Sequence, residues 1–336
     1  MTQYYNPLSI LKVLMAVGII YIHVIPPSSL SIINAEQPDF NIPYTILTET
    51  LMRNCVPLYF FISAFMFFQK NGEKHYIPMI ILRGRRLLIP FFIYNTIFIF
   101  LFIVKEETTL SKIIWLYISP ANFPLWFLRD LFLMSMFVPI IKFMITNYPK
   151  IFPIVLFISY LILSPAKETS IISTFVFFSL GAYMGQRPKI GERIKQRKHL
   201  IWWIFIIVWG LDVIFHIYNI NGQYIIHTLF KLIFICTAWC ILDYINMNNP
   251  KNKFLLSQSN FSFFLYCTHM LLITSIYTYF PQYYLQQSLG SIILVYLLTP
   301  LGICVVTYIS YTFFQKACPY LLSFSLGTKK THSPIL

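Results

Sequence analysis

Long apolar runs separated by short basic connections set the pattern of this 336-residue chain. Most of the runs have roughly the 17 to 25 residues that carry an α-helix across a bilayer, and they lack the ten-residue alternation of barrel strands. They predict spans over residues 8–25, 44–68, 87–104, 124–146, 151–164, 170–186, 201–217, 223–243, 259–280 and 289–315. The expected fold is all-α, a polytopic membrane protein with about ten transmembrane helices. Residues 1–315 form one transmembrane domain, and residues 316–336, too few to fold alone, form a tail.

Composition agrees with a membrane protein and excludes a soluble one. Hydrophobic residues make up 57% of the chain and charged residues 11%, where soluble domains carry about a quarter. The net charge of +14 sits in short clusters between apolar runs, a topology signal rather than a nucleic-acid surface. With the amino terminus in the cytoplasm, the inner connections, the adjoining span end at Lys142 and the tail hold 18 Lys and Arg residues and the outer loops hold 3. Both termini are expected inside. No basic region precedes Leu8, and Pro26-Pro27 stands where a small-residue cleavage site belongs, so the first run is expected to remain a span. The six cysteines fall within spans or at their inner ends, so no disulfide framework is expected. Cys236 and Cys240 read as packing at one helical turn, and no metal site is expected.

The first run carries Lys12 near one end and His23 near the other. Eleven helical residues place them about 16 Å apart along the axis and within about 20° of one face. Glu49 and Arg53, Asp212 and His216, and His227 and Lys231 each stand four residues apart, a spacing that pairs them on one helix face. Arg129 and Asp130 lie just inside the fourth span, after Trp126. These groups, with His23, fall in the middle-to-outer membrane of the predicted topology, and so many at one depth imply a polar cavity open to the outer face.

Arg83-Gly84-Arg85-Arg86 precedes the third span. Charge alone fits a positive-inside anchor. Arg83 and Arg86 also share a helix face, which fits a bidentate phosphate clamp.

Several segments, in order, resemble the membrane acyltransferase-3 family of bacterial O-acyltransferases over residues 8–315. The first span is similar to its Arg-x10-His helix, with His23 in the His position and Lys12 in place of Arg. Val56-Pro57-Leu58-Tyr59-Phe60-Phe61-Ile62-Ser63-Ala64-Phe65 resembles its Phe-Phe-x-x-Ser-Gly-Phe element, with Ala64 for Gly. Arg83 and Arg86 match Arg-x-x-Arg, Trp126-Phe127-Leu128 matches Trp-Phe-Leu, and Tyr266 with His269 matches Tyr-x-x-His.

The resemblance implies a multi-pass enzyme of the bacterial cytoplasmic (inner) membrane, surrounded by membrane lipids. It would transfer an acyl group, most often acetyl, from cytoplasmic acetyl-CoA or another acyl-CoA to a hydroxyl of a glycan or lipid-linked saccharide. Arg83, Arg86 and Lys12 would hold the donor, Lys12 supplying charge without arginine's planar fork. His23 would act as general base or covalent acyl carrier. Glu49 or Asp130 would orient the imidazole, and Arg53, Arg129, Trp126 and His269 complete the set expected at the substrate or oxyanion. Without a fused hydrolase-like domain, the chain would complete transfer alone or with a separate acyl-accepting partner. A glycan flippase or exporter without acyl transfer is the rival reading, since a polar outer cavity serves either, and a non-catalytic scaffold leaves His23 and Lys12 unexplained.

Overall fold

In a computed structural model, residues 5–25, 27–71, 76–103, 109–163, 171–245, 248–279 and 288–328 are described. Among them every regular element is helical. Seven helical segments are long and apolar enough to cross a membrane: Asn6–His23, Pro38–Gln69, Tyr76–Ile103, Lys198–Ile217, Gln223–Tyr244, Ser259–Tyr279 and Leu289–Ala317. Val138–Asn147, Ile151–Ile162 and Ile171–Gln186 are shorter apolar helices. The protein is an all-α polytopic membrane protein, and all six cysteines are free thiols.

The structure departs locally from the expected spans in three places. The third helix begins at Tyr76 rather than Leu87, so Arg83–Arg86 lies within helix Tyr76–Phe98 and not before it. The fourth span is broken at Phe137 into Trp126–Met136 and Val138–Asn147. Pro139 has no N–H for the Ser135 carbonyl and is tolerated only in the first turn of a new helix. The Tyr76 hydroxyl contacts the carbonyls freed there, Ser135 O at 3.2 Å and Met136 O at 2.7 Å. The second span is not one regular helix: a π-helical segment Thr45–Leu51 and a 3₁₀ turn Met52–Asn54 lead into helix Cys55–Asn71. Such π segments are rare and recur at functional sites.

The chain divides into two compact units. The first holds residues 1–73, 137–259 and 284–297; the second holds 74–136, 260–283 and 298–336. In the first, helix Cys55–Asn71 packs along Ile171–Gln186 at very close range. Gly181 and Gly185 make this possible, because a Cβ at either would press on the main chain of Phe61 or Phe65. Trp239 fills the next layer, edge-on to Phe65 at 4.7 Å and Phe61 at 6.4 Å, with Gly191 of the basic helix Pro188–Gln196 against its indole.

In the second unit, helix Tyr76–Phe98 packs on Trp126–Met136. The residues after Ala317 include helix Pro319–Ser325, with Leu322 and Leu326 buried. Ser325 Oγ lies 3.2 Å from the Tyr94 hydroxyl.

Candidate functional site

The residues singled out from the sequence fall in both units. The first unit contains Lys12, His23, Glu49 and Arg53; the second contains Arg83, Arg86, Trp126, Arg129, Asp130 and His269.

In the first unit, Lys12 and His23 ride on one uninterrupted helix, Tyr5–His23, and both are half-buried. The end of this helix is held firmly. Thr48 Oγ1 donates to the Tyr21 carbonyl at 3.2 Å and lies 2.6 Å from the hydroxyl of fully buried Tyr296. The Tyr21 hydroxyl donates to Leu297 O at 3.1 Å. Tyr21, Phe40 and Tyr44 surround the Tyr296 ring with centroids at 5.8, 5.5 and 6.0 Å. Lower on the helix, the Tyr59 hydroxyl donates to the Lys12 carbonyl.

Glu49 and Arg53 hold each other through two parallel bonds, Nε to Oε2 at 2.7 Å and Nη2 to Oε1 at 2.8 Å. The spacing predicted this pair. What it did not predict is the π-helical backbone that carries Glu49. Trp209 ties that segment to helix Lys198–Ile217, its Nε1 donating to Thr50 Oγ1 at 3.0 Å.

The spacing pairs Asp212 with His216 and His227 with Lys231 without giving any of them a role, and the structure brings His227 to Asp212 as well. His227 Nδ1 reaches Asp212 Oδ2 at 2.9 Å, and His216 Nδ1 lies 3.3 Å from Asp212 Oδ1. The available signal was two consecutive spans, each with titratable groups four residues apart, joined by a turn short enough to force an antiparallel hairpin.

In the second unit, Arg83 is half-buried and its Nη1 donates to Ser135 Oγ at 2.7 Å, while Ser135 donates to Leu131 O at 2.8 Å. Arg86 is exposed. Asp130 is buried, and Arg129 donates to its Oδ1 from Nε and Nη2, each at 2.7 Å. Arg129 Nη1 also donates to Ile118 O.

His269 is wholly buried, with Nδ1 2.8 Å from the Tyr266 carbonyl. A carbonyl only accepts, so this nitrogen carries the proton. The Tyr266 hydroxyl donates to Pro124 O, just before Trp126, and its ring meets Phe127 at 5.7 Å. The Tyr-x-x-His and Trp-Phe-Leu segments thus touch.

Asn95 anchors the turn before Trp126. Its Nδ2 donates to Leu116 O at 2.8 Å, its Oδ1 accepts from Asn122 N at 3.0 Å, and Asn122 Nδ2 donates to Cys267 O at 3.2 Å. Asn95→Ala leaves the buried Asn122 N–H and the part-buried Leu116 carbonyl without this partner, so it should cost about 1–3 kcal/mol, read as a lower melting temperature in detergent.

The family described as an acyltransferase domain matches residues 6–311. The chain belongs to this acyltransferase family. Its match spans both units and contains every residue discussed in this section. The succinoglycan biosynthesis protein ExoH of Rhizobium meliloti (strain 1021) is 24% identical over 195 residues, covering 52% of this chain and 52% of that protein. The chain thus spans about half the length of this curated relative. No solved structure matches it.

Proposed function

We propose that this acyltransferase is a membrane O-acyltransferase that moves an acyl group, acetyl in the simplest case, from acyl-CoA to a hydroxyl of a bacterial polysaccharide or its lipid-linked precursor. The observation that carries the reading is the acyltransferase family match over residues 6–311. The polysaccharide acceptor draws on the succinoglycan relative, and the inner-membrane placement with both termini cytoplasmic draws on the Lys and Arg distribution.

In this reading His23 Nε2 or Nδ1 takes the acceptor hydroxyl proton as the oxygen attacks the thioester carbonyl. The carbon–sulfur bond breaks, and the coenzyme A thiolate leaves and takes up a proton. Arg83 and Arg86 hold donor phosphates from helix Tyr76–Phe98, and Ser135 sets the guanidinium plane of Arg83. Lys12 adds positive charge along the donor path. Within the first unit Glu49 orients the His23 imidazole and Arg53 serves the oxyanion; within the second, Arg129, held by Asp130, serves the acceptor with Trp126 and His269.

The test is transfer by the purified protein from radiolabelled acetyl-CoA to bacterial polysaccharides. Label esterified to the glycan and released by mild alkali is the expected result. Failure to consume any acyl-CoA, together with glycan translocation in vesicles, would replace this reading with transport. Arg83→Lys should raise the donor KM by about tenfold or more while changing kcat little, since a charged hydrogen bond is worth about 1.5–3 kcal/mol and lysine cannot make the planar fork.

A further inference from the structure

Asp212 and His216 stand one turn apart on helix Lys198–Ile217. The chain reverses through residues 218–222, where Asn219 takes φ 48° and Gly222 φ 91°, and His227 comes up opposite them on helix Gln223–Ile241. Asp212 is 0% exposed, and the two imidazoles pack edge-on with centroids 5.1 Å apart. One ligand atom from each residue can be chosen so that all lie within 4.8 Å of one another.

The hydrogen bonding is incomplete in an informative way. Asp212 Oδ2 accepts from His227 Nδ1. His216 Nδ1 lies 2.8 Å from the Asp212 main-chain carbonyl and 3.3 Å from Oδ1. That nitrogen carries at most one hydrogen, and the shorter contact takes it. Asp212 Oδ1 is left buried without a hydrogen-bond partner. A carboxylate oxygen in that state, on a helix built to cross a bilayer, is costly. A cation seated among the three groups removes the cost.

We propose that Asp212, His216 and His227 bind a divalent transition-metal ion of the zinc class. Two imidazoles and one carboxylate suit zinc, whereas calcium and magnesium favour sites built from oxygen ligands. Helical spacing of Asp212 and His216 puts two ligands on one face, and the hairpin supplies the third. Three protein ligands leave a fourth position for water or for a substrate oxygen. Only an imidazole nitrogen without a proton can ligate, so metal affinity depends on pH. The proposal stands apart from acyl transfer, and its readouts do not use that reaction.

The test uses the full chain purified through a histidine-free tag, loaded with Zn²⁺, dialysed, and analysed for metal. About one zinc per chain is expected, as for a three-ligand site, with a lower melting temperature after chelation that is restored by Zn²⁺. Co²⁺ loading should give the visible absorption of a low-symmetry, four-coordinate ion. Zinc affinity should fall by well over tenfold in Asp212→Asn and in the double variant His216→Phe, His227→Phe, because loss of even an outer partner costs about 10- to 100-fold. No retained zinc in the wild type, or equal zinc in the double variant, overturns the proposal and leaves the cluster as a hydrogen-bonded ion pair. If the variants fail to fold, the wild-type metal content and the Co²⁺ spectrum decide.

Discussion

His23→Gln is expected to lower acyl transfer by about 10²- to 10⁴-fold, the usual worth of a general base. Glutamine preserves a polar, hydrogen-bonding side chain but cannot carry a proton away from a hydroxyl. The fold should survive, because the helix end is fixed by neighbours rather than by the imidazole. Two residues earlier, Tyr21 accepts from Thr48 at its carbonyl and donates from its hydroxyl to Leu297 O, while Tyr296 bonds to Thr48 and packs its ring against Tyr21. The loss should therefore appear in kcat with donor KM nearly constant, and the pH–rate profile should lose the limb that reports a titrating base. Transfer by the variant within tenfold of wild type would remove His23 from the chemistry and leave the family assignment standing.

Gly181→Val is expected to be the most damaging single change for folding, at about 3 kcal/mol or more, the upper end of overpacking. A Cβ at this position would lie inside the van der Waals envelope of the Phe61 carbonyl oxygen and 2.8 Å from that residue's C and Cα. These are main-chain atoms in the middle of helix Cys55–Asn71, so no side-chain rotation relieves them. Gly185 repeats the approach one turn later, 2.9 Å from Phe65 O. The two glycines form the small-xxx-small spacing by which membrane helices pack closely. Gly210→Ala and Gly302→Ala are suitable controls: each sits within a helix with open space around it and should be neutral or stabilising by up to about 1 kcal/mol. Melting in detergent separates the cases, and a Gly181→Val protein as stable as wild type would contradict the packing described.

The membrane-spanning runs were legible because burial in lipid imposes a length, and apolar composition records it directly. Helix starts were less so. Arg83, Arg85 and Arg86 precede the expected third span, and helix Tyr76–Phe98 already runs through them, since a basic cluster marks where a helix leaves hydrocarbon and not where its backbone ends. The break at Phe137 had a signal in Pro139, which the continuous hydrophobicity around it masked. Spacing of four residues found the Glu49–Arg53 pair because both partners lie on one element. It could not show that His227 would reach Asp212 across a hairpin, since the facing surfaces of two helices are set by packing. The same holds for Asn95 and Asn122, whose bonds to Leu116 and Cys267 connect segments far apart in sequence.

Gly327 takes φ 62° and lies directly against the backbone of Arg85 and Arg86. This end of the chain is therefore an unsuitable place for a reporter fusion or a trimming experiment. A bulky fusion close behind Gly327, or a deletion that removes helix Pro319–Ser325, alters the surroundings of the arginine segment. Attachment at the amino terminus leaves that contact alone.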